Sequence, residues 1–285
     1  MANNPESPIP NPGSTGTTVF IGGGNMARSL IGGLVASGGA ADRVHVVEPR
    51  AEAREELARS FQIHTHAKAG AALADADNIV LAVKPQVIAQ VCKGLDADAI
   101  RAGAVVMSVA AGVRLDQLAG WLGTGLAMVR VMPNTPALIG AGAIALCPNA
   151  HVDEGQRQRS EQIFTGAGLV RWVEDEKLMD TVTALSGSGP AYFFAFVEAL
   201  EAAAVAQGLP ADIARALACQ TCLGAGRMLV ESGDSPAELR QKVTSPGGTT
   251  AAGLESLAAD GLEEMAARAI AAATRRGGEL SAELD

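Results

Sequence analysis

The stretch Thr18-Val-Phe-Ile-Gly-Gly-Gly-Asn-Met-Ala-Arg-Ser-Leu-Ile-Gly-Gly-Leu34 constrains the fold more than any other part of the chain. A β-branched and aromatic run, Val19 to Ile21, stops at three glycines. Helical spacing follows, with Met26, Leu30 and Leu34 at i, i+4 and i+8. Gly22, Gly24 and Ala27 fit G-x-G-x-x-G/A, the strand–turn–helix that seats a dinucleotide pyrophosphate. Gly22 permits the tight turn, Gly24 lets the backbone approach the phosphates, and Ala27 lets the helix lie close to the strand. The helix N-terminus adds free N–H groups and a positive dipole. Glycine turns also occur for purely structural reasons. Here, however, a following strand, Val44-His-Val-Val47, ends in Glu48, where an acid accepts ribose hydroxyls. Arg50, two residues on, is placed to pair with a 2′-phosphate, so NADH and NADPH both stay open at this point.

Three later apolar runs, Asn78–Val83, Ala104–Ser108 and Leu126–Val131, read as parallel strands covered on both faces. They end in Lys84-Pro85, Val109-Ala-Ala-Gly112 and Met132-Pro-Asn-Thr-Pro136. The carboxyl ends of such strands line one crevice, so Gly22–Gly24, Lys84, Ala110–Gly112 and Asn134 should share one edge of the sheet. Ala51–Ser60 reads as a helix, Gln62–His64 as a short strand and Lys68–Ala74 as another helix. His64 and His66 flank Thr65 with no third ligand in view, which favours a surface strand end over a metal site. Ala143–Cys147 and Leu169–Trp172 are the last strands, with a helix near Asp153–Thr165 between them. From about Val173 the alternation stops, and the spacing predicts helices near 175–185, 190–207, 210–231, 235–242, 249–259 and 261–283. The fold class is therefore α/β: a Rossmann-like, doubly wound, mainly parallel sheet over 17–172, then an all-helical domain over 173–285. Residues 1–16, rich in Asn, Pro, Ser and Gly, read as a flexible tail.

Composition narrows the function. The 285 residues are 48% hydrophobic but only 3% aromatic, so the core is aliphatic. A net charge of −9 argues against nucleic acid or an acidic membrane as partner. The apolar stretch Ala102–Val113 is too short to span a bilayer, and no apolar segment of signal type precedes the first strand. A cytoplasmic, soluble protein is expected. Cys92, Cys147, Cys219 and Cys222 are scattered, and the last two lie in an Ala/Leu-rich helical stretch with no second pair nearby. They read as reduced and packed, with no metal. Tyr192, Phe193, Phe194 and Phe196 sit on a helix that is hydrophobic nearly all round, which suggests burial against a second copy.

Val243-Thr-Ser-Pro-Gly-Gly-Thr-Thr-Ala-Ala252 is the most informative stretch of the helical half. Ser-Pro-Gly-Gly cannot continue a helix, and Thr249-Thr250 open one. Helix-start N–H groups with the hydroxyls of Ser245, Thr249 and Thr250 make an anion cradle suited to a carboxylate substrate, although an N-cap turn without ligand has the same look. Ser186-Gly-Ser-Gly-Pro-Ala191 is a second loop of this kind. Beyond His151 there is no histidine, and the only lysines in that part of the chain are Lys177 and Lys242. Alcohol oxidation normally needs such a base. Reduction of a C=N bond needs less, because a protonated iminium accepts hydride directly, so the inventory leans toward an imine.

Phe20-Ile-Gly-Gly-Gly-Asn-Met26, Ala82-Val-Lys-Pro85, Ser108-Val-Ala-Ala-Gly112, Met132-Pro-Asn-Thr-Pro136, Gly187-Ser-Gly-Pro-Ala-Tyr192 and Ser245-Pro-Gly-Gly-Thr-Thr250 together resemble the pyrroline-5-carboxylate reductase family. The resemblance implies NAD(P)H-dependent reduction of 1-pyrroline-5-carboxylate to L-proline, the last step of proline biosynthesis. It also implies a helical domain that intertwines with a partner's in a dimer, often assembled into a decamer. By position, Gly22, Gly24, Asn25 and Met26 match the family's pyrophosphate loop. Ala82, Lys84, Ala110, Ala111 and Gly112 match its cofactor contacts, and Asn134 its nicotinamide edge. Ser245, Gly248, Thr249 and Thr250 match the substrate-carboxylate loop, with Thr250 near the imine nitrogen. Glu48-Pro49-Arg50 mixes the signals for the two cofactors. The rival enzymatic plan, a β-hydroxyacid dehydrogenase, uses Lys followed four residues later by Asn, whereas Lys177 is followed by Thr181. A non-catalytic nucleotide-sensing protein on the same fold is the other alternative, against which the intact Ser245–Thr250 loop speaks.

Overall fold

The computed structural model describes residues 16–284; the tail read over 1–16 thus lies, but for Gly16, outside the described residues. Eight strands form one sheet in the order β3-β2-β1-β4-β5-β6-β7-β8. They are β1 Thr18–Ile21, β2 Val44–Val47, β3 His64–His66, β4 Asn78–Leu81, β5 Val105–Ser108, β6 Ala127–Met132, β7 Gly142–Pro148 and β8 Gly168–Trp172. All neighbours are parallel except β6 and β7. The order reverses at β1, with β2 and β4 on its two sides, which is the switch point where an open α/β sheet binds ligands.

Alternation along each strand feeds two cores. Val19, Ile21, Ile79, Leu81, Val106 and Met128 face one way and meet Ile88 and Cys92 of α3 (Pro85–Lys93) and Leu118 and Leu122 of α4 (Leu115–Leu122). Phe20, Val46, Val80, Met107 and Val129 face the other way. They meet Leu30, Ile31 and Leu34 of α1 (Asn25–Ala36), Leu57 of α2 (Ala51–Phe61), and Ile163 and Phe164 of α5 (Glu154–Thr165). Each fully buried Leu, Ile or Phe contributes about 1.5–3 kcal/mol, so the sheet half carries its own hydrophobic stabilisation.

Two expectations shift near β3. The strand lies at His64–His66, not Gln62–His64, because Gln62 adopts a left-handed φ of 56° as it ends α2. The helix expected over Lys68–Ala74 is only a 3₁₀ turn, Gly70–Leu73. His64 and His66 also have the third imidazole that the sequence hid. His45 lies opposite His64 in the β2–β3 register, and its Nδ1 is 2.9 Å from His66 Nε2. Among the described residues no group of His, Cys, Asp or Glu is arranged to hold a metal ion.

After β8 come a 3₁₀ turn at Glu176–Leu178, α6 (Met179–Val182) and a π-helical turn at Thr183–Gly187. Then follow α7 (Gly189–Ala206), α8 (Ala211–Glu231), α9 (Pro236–Lys242), α10 (Thr249–Ala259) and α11 (Leu262–Ala282). Backbone contacts divide the chain into two compact units. The sheet unit continues to Gly187 and takes up the chain again from Ala273; the helical unit is Ser188–Ala272. The division therefore falls later than the 172/173 boundary read from the sequence, because the turns over 176–187 are tied to the sheet by side chains described below. The run Glu176–Ala206, 31 residues, is long and apolar enough to cross a membrane by length and composition. That corrects the focus on Ala102–Val113, which is shorter.

Candidate active site

The glycine turn behaves as a cradle. Gly22 has φ +102°, and a Cβ there would lie 2.6 Å from the carbonyl oxygen of Ala82, so only glycine closes the turn against β4. Gly23 has a packing reason that the motif does not state: a Cβ would meet Leu57 at 2.6 Å and Glu48 Oε2 at 3.3 Å. Beyond its chain neighbours, a Cβ on Gly24 would meet nothing within 4 Å, which leaves its backbone open to a ligand. Ala27, on the first turn of α1, is fully buried. The turn opens on a cleft of about 980 Å³ whose walls include Gly22, Gly24, Glu48, Arg50, Ala82 and Lys84. Residues 67–70, after β3, and Val87 and Val91 of α3 are also part of the wall. These features fit a dinucleotide: an apolar cleft, bare backbone at a helix start, and acids and cations, Glu48, Arg50 and Lys84 among them, in its walls.

Glu48 is the electrostatic centre of that cleft. Its side chain is 8% exposed, and the Gly23 N–H donates to Oε2 at 3.2 Å. The Arg50 N–H and Nε donate to Oε1 at 3.1 and 3.0 Å. Burial works against the charged carboxylate, but the bonds from the Arg50 backbone, the Arg50 guanidinium and the Gly23 backbone together outweigh it. They hold the Glu48 pKa below the ordinary carboxylate range. Glu48 thus buttresses the glycine turn. The 70% exposed Arg50 side chain is held by that one ion pair and is free to be recruited by a phosphate.

The remaining cofactor candidates follow neighbouring strands on the same edge. Asn25 and Met26 open α1; Ala110–Gly112 follow β5 and Asn134 follows β6, but they do not line the cleft. Asn134 is 8% exposed and both ends of its amide are engaged: Nδ2 donates to the Ser186 carbonyl at 2.9 Å, and Oδ1 accepts from the Ala143 N–H at 3.0 Å. Ala110–Gly112 lie against the returning end of α11. A Cβ on Gly112 would be 3.7 Å from Leu280 and Ser281, and the Gln117 side-chain amide donates to the Ser281 carbonyl at 2.9 Å. Arg130 is a residue that sequence reasoning missed. It is 4% exposed on β6, where its Nη2 donates to Asp180 at 2.9 Å and its Nη1 to Glu176 at 3.4 Å. The available signal was a lone charge inside an otherwise apolar strand. Burial lifts the thiols of Cys92 to about 12 and, with Glu176 adding to it, of Cys147 to about 11, so both are inert at neutral pH.

In the helical unit, Gly247 takes φ +68° and Gly248 caps α10 in an extended conformation without a side-chain cap. The Gly248 N–H closes a turn onto Ser245 O at 3.0 Å. Thr249 and Thr250 are exposed on the first turn, and the hydroxyls of Ser245, Thr249 and Thr250 make no hydrogen bond among the described residues. Three hydroxyls and a helix start with spare N–H groups therefore face solvent together.

Comparison with known proteins assigns each half. Residues 17–112 match the family model described as NADP oxidoreductase, coenzyme F420-dependent, and residues 176–280 match pyrroline-5-carboxylate reductase dimerisation. The pyrroline-5-carboxylate reductase of Pseudomonas aeruginosa is 44% identical over 271 residues, covering 95% of this chain and 99% of that one. The solved pyrroline-5-carboxylate reductase of Coxiella burnetii superposes with a TM-score of 0.91 at 41% identity, covering 94% of this chain and 99% of the other. The Plasmodium falciparum pyrroline carboxylate reductase, solved with NADP bound, gives 0.79 at 28% identity over 93% and 98%.

Proposed function

The chain belongs to the pyrroline-5-carboxylate reductase family, and from that premise we infer that it reduces 1-pyrroline-5-carboxylate to L-proline with NAD(P)H. The observation that carries this is end-to-end similarity to such reductases at 41–44% identity, joined to a cleft built for a dinucleotide. The reaction closes proline biosynthesis. When bound, the dihydronicotinamide supplies a hydride to the imine carbon; the nitrogen takes up one proton.

The protein's own residues bind and orient. Gly22, Gly24, Asn25 and Met26 hold the pyrophosphate through backbone N–H groups at the start of α1. Glu48 and Arg50 meet the adenosine ribose and set the preference between NADH and NADPH, with Ala82 and Lys84 along the opposite wall. Ala110, Ala111, Gly112 and Asn134 shape the nicotinamide edge. In the helical unit, Ser245, Gly248 and Thr249 hold the substrate carboxylate at the start of α10, and the Thr250 hydroxyl bonds the imine nitrogen. No histidine or lysine lies within Ser245–Thr250 to compete for that role.

The helical unit works as a dimer with a second copy, which covers the exposed aromatic side chains of α7 in place of lipid or nucleic acid; further association into a decamer would build on that dimer. The compartment is the cytoplasm. The deciding measurement is oxidation of NADPH and of NADH by the purified protein on addition of pyrroline-5-carboxylate, with L-proline identified as product. Turnover with at least one cofactor is expected, and no oxidation with either would overturn the assignment.

A further inference from the structure

Arg130 is the least expected side chain in the sheet unit: a cation on a central strand, 4% exposed, between Val129 and Val131 that are themselves buried. A buried charge persists only where partners compensate it. Its partners are carboxylates on the turns that follow the sheet, Asp180 at 2.9 Å and Glu176 at 3.4 Å. Neither is a simple pair. The Oε1 atom of Glu176 that Arg130 approaches also accepts the Leu115 N–H at 2.8 Å, which pins the start of α4 and with it the chain leaving Ala110–Gly112. Asp180 packs on the returning C-terminal helix, where a Cβ on Gly277 would lie 3.3 Å from it. Four residues beyond Arg130, Asn134 grips the Ser186 carbonyl, which the π-helical turn after Asp180 presents. Wide π turns recur at functional sites.

We propose that Arg130, through Asp180 and Glu176, is the positioning residue of the nicotinamide edge: one buried cation sets the mutual placement of the Ala110–Gly112 turn, the Asn134 loop and the Ser186 turn. This rests on the reading of those loops as the nicotinamide edge. The adenosine-binding part of the cleft, at Gly22, Glu48 and Lys84, has no bond to this ionic cluster among the described residues. Losing the cation should therefore separate binding of the two ends of the cofactor.

The test compares Arg130→Met, Arg130→Lys and Asp180→Asn, assayed well below their melting temperatures. The readouts are kcat and KM for pyrroline-5-carboxylate with NADPH, and the Kd of adenosine 2′,5′-bisphosphate, which reports the adenosine end alone. Arg130→Met should lower kcat about 10- to 100-fold, the scale of a misplaced reacting geometry, with the Kd of the fragment unchanged. Arg130→Lys should restore part of the loss, since an ammonium keeps the charge without the two-armed reach. Arg157→Ala, which removes the Glu174 ion pair on α5, serves as control; it should alter melting but not kcat. A folded Arg130→Met enzyme with wild-type kcat overturns the proposal, as does fragment binding weakened as much as turnover. Should Arg130→Met fail to fold, Asp180→Asn decides by the same two readouts. A wild-type protein that oxidises neither NADPH nor NADH would instead refute the assigned activity.

Discussion

The sheet unit and the helical unit dispose of their apolar side chains in opposite ways. In the sheet unit, strands and helices bury most of theirs, as Phe20, Leu30, Leu57, Ile79 and Leu118 illustrate at full burial. In the helical unit, α7 leaves Phe193 and Phe194 63% and 67% exposed, α8 leaves Val230 85% exposed, and α10 buries none of its residues. Apolar residues are not scarcer in the helices; they are unpartnered. A chain that retains such surface is built to bury it against another copy. One half is a domain in the ordinary sense, and the other is half of an interface.

The sharpest way to break that comparison is Phe193→Glu combined with Phe194→Glu. If α7 is an interface helix, each aromatic contributes about 2 kcal/mol or more to association, and sedimentation should show monomers with turnover lost. A double variant that stays dimeric and active would return α7 to the status of an exposed surface. Leu57→Ala, in the sheet core, should do the converse. It should cost about 2–5 kcal/mol of stability, read by denaturant unfolding, with sedimentation unchanged.

Thr250 tests whether the helical unit contributes chemistry as well as surface. A hydrogen bond to a charging group is worth about 1.5–3 kcal/mol, so Thr250→Val should lower kcat/KM about 10- to 150-fold with cofactor affinity nearly constant. Thr249→Val should act mainly on KM. Steady-state kinetics of a folded Thr250→Val protein with wild-type kcat/KM would remove it from the mechanism.

Smaller effects belong to the cofactor cleft. Glu48→Gln keeps an acceptor for the Gly23 N–H but loses the charge. It should weaken NADH by about tenfold and NADPH less, while Arg50→Ala should do the reverse. Equal losses for both cofactors would mean that Glu48 only buttresses the turn. The smallest change is in pH dependence. Burial, with His64 and His66 adding to it and Asp75 opposing, lowers the His45 pKa. The unfolded chain therefore binds more protons than the native one as pH falls through about 6.5, and stability falls with it. Melting temperature should drop between about pH 7.5 and 5.5, and His45→Gln should flatten that slope. Glu48, whose pKa is also lowered, takes over only further down, in the carboxylate range.

The helical half shows how much was legible beforehand. From Gly189 on, its helices fall within a residue or two of their expected spans, because Gly208, Gly233, Gly247 and the prolines beside them punctuate the chain locally; the helix expected near 175–185 is instead a 3₁₀ turn, one short α-helix and a π turn. The glycine turn was legible for the same reason, since a positive φ at Gly22 is a property of one residue. Around β3 the local signals were weak, and the strand moved by two residues once Gln62 turned left-handed. The imidazole cluster was invisible: His45 meets His64 and His66 only through strand register.

By itself, then, the sequence determined the element order, the glycine turn between β1 and α1, the hydroxyl-lined helix start at Ser245–Thr250 and the family. Each is written in residues a few positions apart, where backbone preference and periodicity act. Tertiary structure alone decided that Glu48 holds Gly23, that Asn134 spends its amide on Ser186 and Ala143, and that Arg130 draws Glu176 and Asp180 to the sheet. It also decided that the chain returns to the sheet unit from Ala273. Apart from Asn134 and Ala143, nine positions apart, these contacts join residues tens of positions apart. Only the closing of the sheet over its two cores brings such partners within hydrogen-bond reach, and makes leaving them unpaired costly.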